Sequence, residues 1–433
     1  MNERILIRGG RVIDPAQGID GVMDVCIAAG RIAGLGHRPD GFTPDRVIEA
    51  AQQVVCPGFI DSCARLREPG FEHKATIDGE SKAAAASGIV TVCMPPDTYP
   101  IIDTPAVVQL IHDKAALTGR LRIVPIGALT RGLKGQDLSE MSALRQAGCR
   151  AVGNAHAPVA STLVLRRALE YAASHDLLVI VRPEDPDLAD QGCVHEGPVG
   201  TRLGLRGIPQ AAETVAVAQV LALIEHTGAR VHFAQLSSAR AMRSIARAQE
   251  KGFPVTADVA AHQLHLTDTA VEGFDALCHV RPPLRGLLDR DSLREGVRDG
   301  VIRAICSDHQ PHEPDAKLDA FPMTEPGMAS LQTLLPLTLK LVEEGVLSLS
   351  RAIAALTCGP ASVMRLEAGD LQLGGVADVC VFDPGETWTL NEQTWLSSGR
   401  NTPFWGTTLQ GRVTHTLWAG RLVHAHPAQV SGP

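Results

Sequence analysis

Val55-Cys56-Pro57-Gly58-Phe59-Ile60-Asp61-Ser62 is an apolar run that closes on an acidic and a hydroxylated residue, and it opens a series. Gly88–Pro95, Leu121–Leu129, Gly148–Asn154, Leu177–Glu184, Arg230–Ser237, Pro254–Ala261 and Ile302–His309 continue it, each the length of a buried strand. Helical segments separate them: one opens at Thr104-Pro105, a capping residue followed by proline at the first helical position, and others cover Ser161–His175, Glu213–His226 and Ser238–Lys251. Strands alternating with helices specify a parallel sheet, and eight such units predict an α/β fold, a TIM-like (β/α)8 barrel.

Outward from the barrel the pattern changes. Ile5–Arg8, Arg11–Asp14, Met23–Ala29 and Arg31–Gly34 on one side, and Ala377–Phe382, Arg412–Trp418 and Arg421–His424 on the other, are short strand-like runs punctuated by glycine. They predict hairpins from both chain ends joined in one small β-sandwich, with its N-terminal part at 1–54, the barrel at 55–367 and its C-terminal part at 368–433.

Composition excludes several roles. With 433 residues, 45% hydrophobic and 20% charged, the chain is long enough for a large core and an attached small domain. A net charge of −8 without basic clusters excludes nucleic acid as the expected partner. The chain reaches Gly9-Gly10 after only a few apolar residues, and no later run is long enough for a bilayer, so a cytoplasmic location without membrane association is expected. Ten scattered cysteines, several inside apolar runs (Cys93, Cys306, Cys380), predict buried reduced thiols.

Barrel enzymes carry their reacting groups where strands end, so those ends are the candidate site. Four motifs stand there or in the adjoining loops: Arg67-Glu68-Pro69-Gly70-Phe71-Glu72-His73-Lys74, Val280-Arg281-Pro282-Pro283-Leu284-Arg285, Ser307-Asp308-His309-Gln310-Pro311-His312 and Arg400-Asn401-Thr402-Pro403-Phe404-Trp405-Gly406. In order and over nearly the whole chain, they resemble dihydroorotase of the amidohydrolase superfamily. That resemblance implies a zinc site held by His-x-His after strand one, an Asp or carboxylated Lys after strand four, histidines after strands five and six, and an Asp after strand eight.

At those positions this sequence has Cys63 and Arg65, Asn154, Arg182, Gln235 and Asp308. Zinc requires three or four N, S or O donors at about 2.0–2.3 Å. A guanidinium stays protonated and only donates. Each one about 4 Å from a divalent ion adds repulsion of roughly 8 kcal/mol at an effective dielectric of about 20. The expected metal and cofactor content is therefore none, and a pairing of Arg65 or Arg182 with Asp308 is expected instead. Arg182→Ala is then expected to expose an uncompensated carboxylate at a cost of about 3–5 kcal/mol.

Arg67 matches the family's substrate-carboxylate arginine, although it also reads as a structural ion-pair partner. Arg281 stands where the family has asparagine, and Met94-Pro95-Pro96-Asp97-Thr98-Tyr99-Pro100 lacks the amide of the family's Met-Pro-Asn-Thr-x-Pro. A remodelled metal site from Cys63, Cys306 and Asp308 with His262 or His309 is the alternative within the barrel. His309 and His312, on a loop, are expected to be solvated or hydrogen-bonded.

The resemblance extends to noncatalytic dihydroorotase homologues that assemble with aspartate carbamoyltransferase in pyrimidine biosynthesis. It implies a pseudoenzyme, oligomeric (a dimer) within a larger complex with the transcarbamoylase catalytic chain. The loop Asp308–Gly327, with Leu318, Phe321 and Met323 as apolar anchors, is the candidate contact, the other reading being a mobile surface loop. Two other classes stay open: a metal-poor cyclic amidohydrolase acting on a hydantoin, allantoin or dihydropyrimidine, and a small-molecule sensor binding through Arg67 and Arg281.

Overall fold

The computed structural model describes residues 3–427. Eight parallel strand positions follow one another in chain order: Phe59–Asp61, Ile89–Met94, Arg122–Pro125 continuing into Gly127–Ala128, Ala151–Gly153, Leu178–Val181, Val231–Phe233, Val255–Ala260 and Ala304–Cys306. Each is followed by at least one helix, from Ile77–Ala86 after the first to Leu334–Glu343 after the last. Ser161 and Ser238 cap their helices with the side-chain hydroxyl, as their positions predict, whereas Thr104 makes no such bond and leaves helix entry to Pro105.

The ring closes through Asp61. Its buried carboxylate accepts from the Ser307 amide at 3.0 Å, from the Ser307 hydroxyl and from the Cys63 amide at 3.2 Å, tying the end of strand one to the end of strand eight. A parallel bridge between Ala64 and His309 continues the seam, with the Arg65 amide donating to the His309 carbonyl at 2.9 Å. Val92, Val179, Phe233, Val259 and Ile305, from barrel strands around the ring, are buried in the large core beneath this rim.

The apolar run Val55–Ser62 is not one strand. Val54–Pro57 belongs to the terminal sheet, pairing parallel with Ile5–Asp14 and antiparallel with Val379–Thr389, while Phe59–Asp61 belongs to the barrel. Gly58 makes the crossing, and a Cβ there would sit 2.4 Å from a methyl of Val90. The seam between the two bodies therefore lies at Gly58, inside the run that periodicity reads as continuous. Both termini meet in one eight-stranded, mostly antiparallel sheet, which encloses its own core of Ile5, Ile27, Val55, Val379 and Val381. Ile5–Arg8 and Arg11–Asp14, which look like separate strands, form one strand with a register shift between Ile7 and Gly10.

Candidate functional site

Arg65 is the centre of the barrel mouth. It leaves the end of strand one with 6% of its surface exposed, donates from Nε to Asp97 Oδ2 at 2.7 Å, and places Nη1 3.4 Å from Asp308 Oδ1. Burial works against its charge, but Asp97 and Asp308 outweigh that and raise its pKa. Asp308 is pushed the other way: burial raises its pKa, and Arg65, Arg182 and two contacts from the Gln310 amide at 3.2 Å restrain the rise. The expected guanidinium–carboxylate pairing thus falls to Arg65. Asp97, where the family motif has its amide, is its second partner.

Arg182 is not that partner. Its Nε and Nη2 are buried without a hydrogen-bond acceptor, and burial lowers its pKa, opposed by the charges of Glu184 and Asp308 and reinforced by Arg281 and Arg65. Arg182→Ala therefore breaks no direct bond to Asp308, and the large cost attached to it above moves to Arg65. Arg281 is taken up by Glu184, which accepts from Nε at 3.0 Å with both carboxylate oxygens and from Nη2. Arg67 is not an ion-pair residue either. It donates from Nε to the Pro311 carbonyl at 2.9 Å and meets His312 Nε2 at 3.1 Å, and burial with Arg65 nearby lowers its pKa to about 10.

The remaining positions are occupied by structural bonds. Asn154 accepts from the Thr130 hydroxyl at 2.7 Å and donates to the Ala157 carbonyl at 3.1 Å. Gln235 lines the inner cavity, and its backbone N–H donates to Asp258 at 2.6 Å. Cys63, buried against Ala260 and Cys306, lies 3.7 Å from Asp308, and burial together with the Asp308 charge pushes its thiol well above 9.

The zinc that the resemblance implies does not fit these residues. Where donors must converge there are one thiol, two amides and one carboxylate already held by a guanidinium. Among the described residues no three His, Cys, Asp or Glu side chains are grouped to hold a metal, which also removes the arrangement of Cys63, Cys306 and Asp308 with His262 or His309. Of the two states expected for the loop histidines, both take the hydrogen-bonded one: His309 is fully buried with Nε2 3.0 Å from Glu80, and His312, 3% exposed, has Nε2 3.1 Å from the Pro326 carbonyl. Of the loop anchors, Leu318 and Met323 are 78% and 75% exposed, but Phe321 is 3% exposed and stacks on His279. Phe321 therefore holds the loop down and offers no surface.

Sequence reasoning missed Asp97, Glu184 and Asp258. The only signal was that each stands a few residues beyond or within a barrel strand, which does not distinguish an ion-pair acceptor from a ligand. The strand ends share a backbone feature. Arg67, Ala155, Gln235 and Asp308 all adopt left-handed φ, at 64°, 48°, 50° and 46°, just past strands one, four, six and eight. Such conformations are unfavourable for L-residues and are maintained by the surrounding structure.

Asp61 gives this region a pH dependence. Burial raises its carboxyl from 3.8 to about 7, against the bonds from Ser307 and Cys63. Between those values the native state holds a proton that the unfolded chain has released, so this stabilisation is present at low pH and lost as pH rises, by up to about 1.4 kcal/mol per pH unit. Asp61→Asn is expected to flatten that decline. Urea midpoints at pH 4.5 and 7 should shift in favour of the variant at the higher pH, and a constant offset between the two proteins contradicts the assignment.

Comparison with known proteins places the chain in the dihydroorotase-like family. Residues 52–241 match the family model described as Dihydro-orotase-like. The chain is 50% identical to the "Dihydroorotase-like protein" of Pseudomonas aeruginosa over 420 residues, covering 97% of this chain and 99% of that one. It is 46% identical to the "Dihydroorotase" of Syntrophotalea carbinolica, with 97% and 99% covered. Among solved structures, the L-hydantoinase (dihydropyrimidinase) of Arthrobacter aurescens superposes with a TM-score of 0.88 at 20% identity, covering 98% of this chain and 96% of that one.

Proposed function

The chain belongs to the dihydroorotase-like family of amidohydrolases, and from the state of its barrel mouth we propose that it is a noncatalytic member, an assembly partner of aspartate carbamoyltransferase in cytoplasmic pyrimidine biosynthesis. The observation that carries this reading is Arg65, a guanidinium bound to Asp97 and Asp308 in a family ligand position. A hydrolase of this kind uses its metal to ionise water and polarise the amide carbonyl. Fixed positive charge supplies neither. The intact barrel, terminal sheet and rim loops remain available for recognition between proteins.

Several relatives at 42–46% identity bear the name Dihydroorotase, which favours cyclic amide hydrolysis as the second reading. The two readings separate when the full chain is mixed with the aspartate carbamoyltransferase catalytic chain of the same cell and sized. The assembly reading expects one larger species containing both chains, this one as a dimer, with transcarbamoylase activity in that species. Separate elution at micromolar concentrations contradicts it. Leu318→Asp with Met323→Asp is expected to abolish co-elution while leaving the buried Phe321 anchor intact, and unchanged co-elution removes the loop as the contact.

A further inference from the structure

We propose that the barrel mouth binds a small oxyanion, a carboxylate or phosphate group, on the Arg182 guanidinium. Arg182 directly follows strand five and lines both an inner cavity of about 40 Å³ and an outer cleft of about 360 Å³, the latter within the range of small-molecule sites. Asp97 and Asp308 are engaged with Arg65 and Glu184 with Arg281, Asp258 of the inner cavity accepts from the Ser62 hydroxyl and the Gln235 backbone, and of the outer cleft's other acids Asp185 accepts from the Leu188 amide while Asp187 is exposed. The Asn154 carbonyl oxygen is taken by Thr130. Arg182 Nε and Nη2 are left buried with no acceptor.

Buried charged donors without a partner are costly, and an oxyanion matches a guanidinium's planar fork. Ile126, Ile180, Ala234, Pro95 and Pro96 form the apolar part of the inner cavity's wall, which strengthens a charged hydrogen bond formed against them, while Asp258 on the same wall is held by Ser62 and the Gln235 backbone. The site is distinct from the Arg67 position, where Nε is spent on the Pro311 carbonyl and Nη2 faces His312. It does not depend on assembly with another protein, so it stands or falls separately from the proposed function.

The full chain is titrated calorimetrically with inorganic phosphate and, separately, with succinate, at constant ionic strength in chloride. Saturable binding is expected for at least one: phosphate alone identifies a phosphate site, succinate alone a carboxylate site, and both a general oxyanion site. Arg182→Gln is expected to weaken it on the order of 10- to 100-fold, and Arg67→Gln to weaken it less. Crystals of the unmutated protein soaked in selenate are expected to place anomalous density within hydrogen-bonding distance of Arg182 Nε or Nη2, a readout independent of how the variants fold. Absence of saturable binding for both probes, an Arg67 effect as large as that of Arg182, or selenate bound only elsewhere overturns the proposal.

Discussion

Replacing Arg65 with methionine is expected to destabilise the protein by about 3–5 kcal/mol, because it removes one partner of a buried ion-pair network and leaves the others uncompensated. Asp308 is 3% exposed, and its remaining side-chain hydrogen bonds come from the neutral Gln310 amide and the Cys63 thiol. Asp97 loses the Nε–H that reaches it at 2.7 Å. The comparison is Arg131→Met, which breaks an ion pair with Glu140 whose side chains are 61% and 67% exposed and is expected to change stability by no more than about 0.5 kcal/mol. Urea denaturation with matched slopes measures both. A loss below about 1 kcal/mol for Arg65→Met shows that the guanidinium is dispensable to the mouth.

The second large effect lies behind the site. Glu213, 3% exposed, accepts from the amides and hydroxyls of both Ser237 and Ser238, with the Ser237 amide at 3.1 Å and the Ser238 amide at 3.0 Å. It thereby fixes the chain just after Gln235. Glu213→Ala strips an acceptor from four donors in the interior and is expected to cost about 3–5 kcal/mol. Glu213→Gln keeps one oxygen and is expected to lose less. Equal losses for the two variants mean that packing, not hydrogen bonding, is what Glu213 supplies.

The barrel was legible because buried parallel strands are continuous apolar runs whatever their surroundings, and Arg65 was legible because an arginine cannot be a metal ligand in any fold. What was not legible depended on long-range partners. Gly58 changes sheets inside one apolar run, and nothing in local periodicity registers a change of neighbour. The choice of Arg65 over Arg182 as the partner of Asp308 depended on Asp97, which lies 32 positions further along the chain and reads locally as a loop acid. Phe321 looks like a surface anchor until His279, from another loop, is placed against its ring. Arg67 reads as an ion-pair residue on base chemistry alone, yet its Nε contact is a carbonyl, which sequence cannot display.

Zinc content and dihydroorotate turnover, measured together on protein incubated with zinc and then freed of excess metal, test the central claim most directly. Substoichiometric zinc and no ring opening or closure above a zinc-only blank is the result that the Arg65–Asp97–Asp308 network predicts. One or more zinc ions per chain, with hydrolysis of dihydroorotate or cyclisation of carbamoyl aspartate, contradicts it.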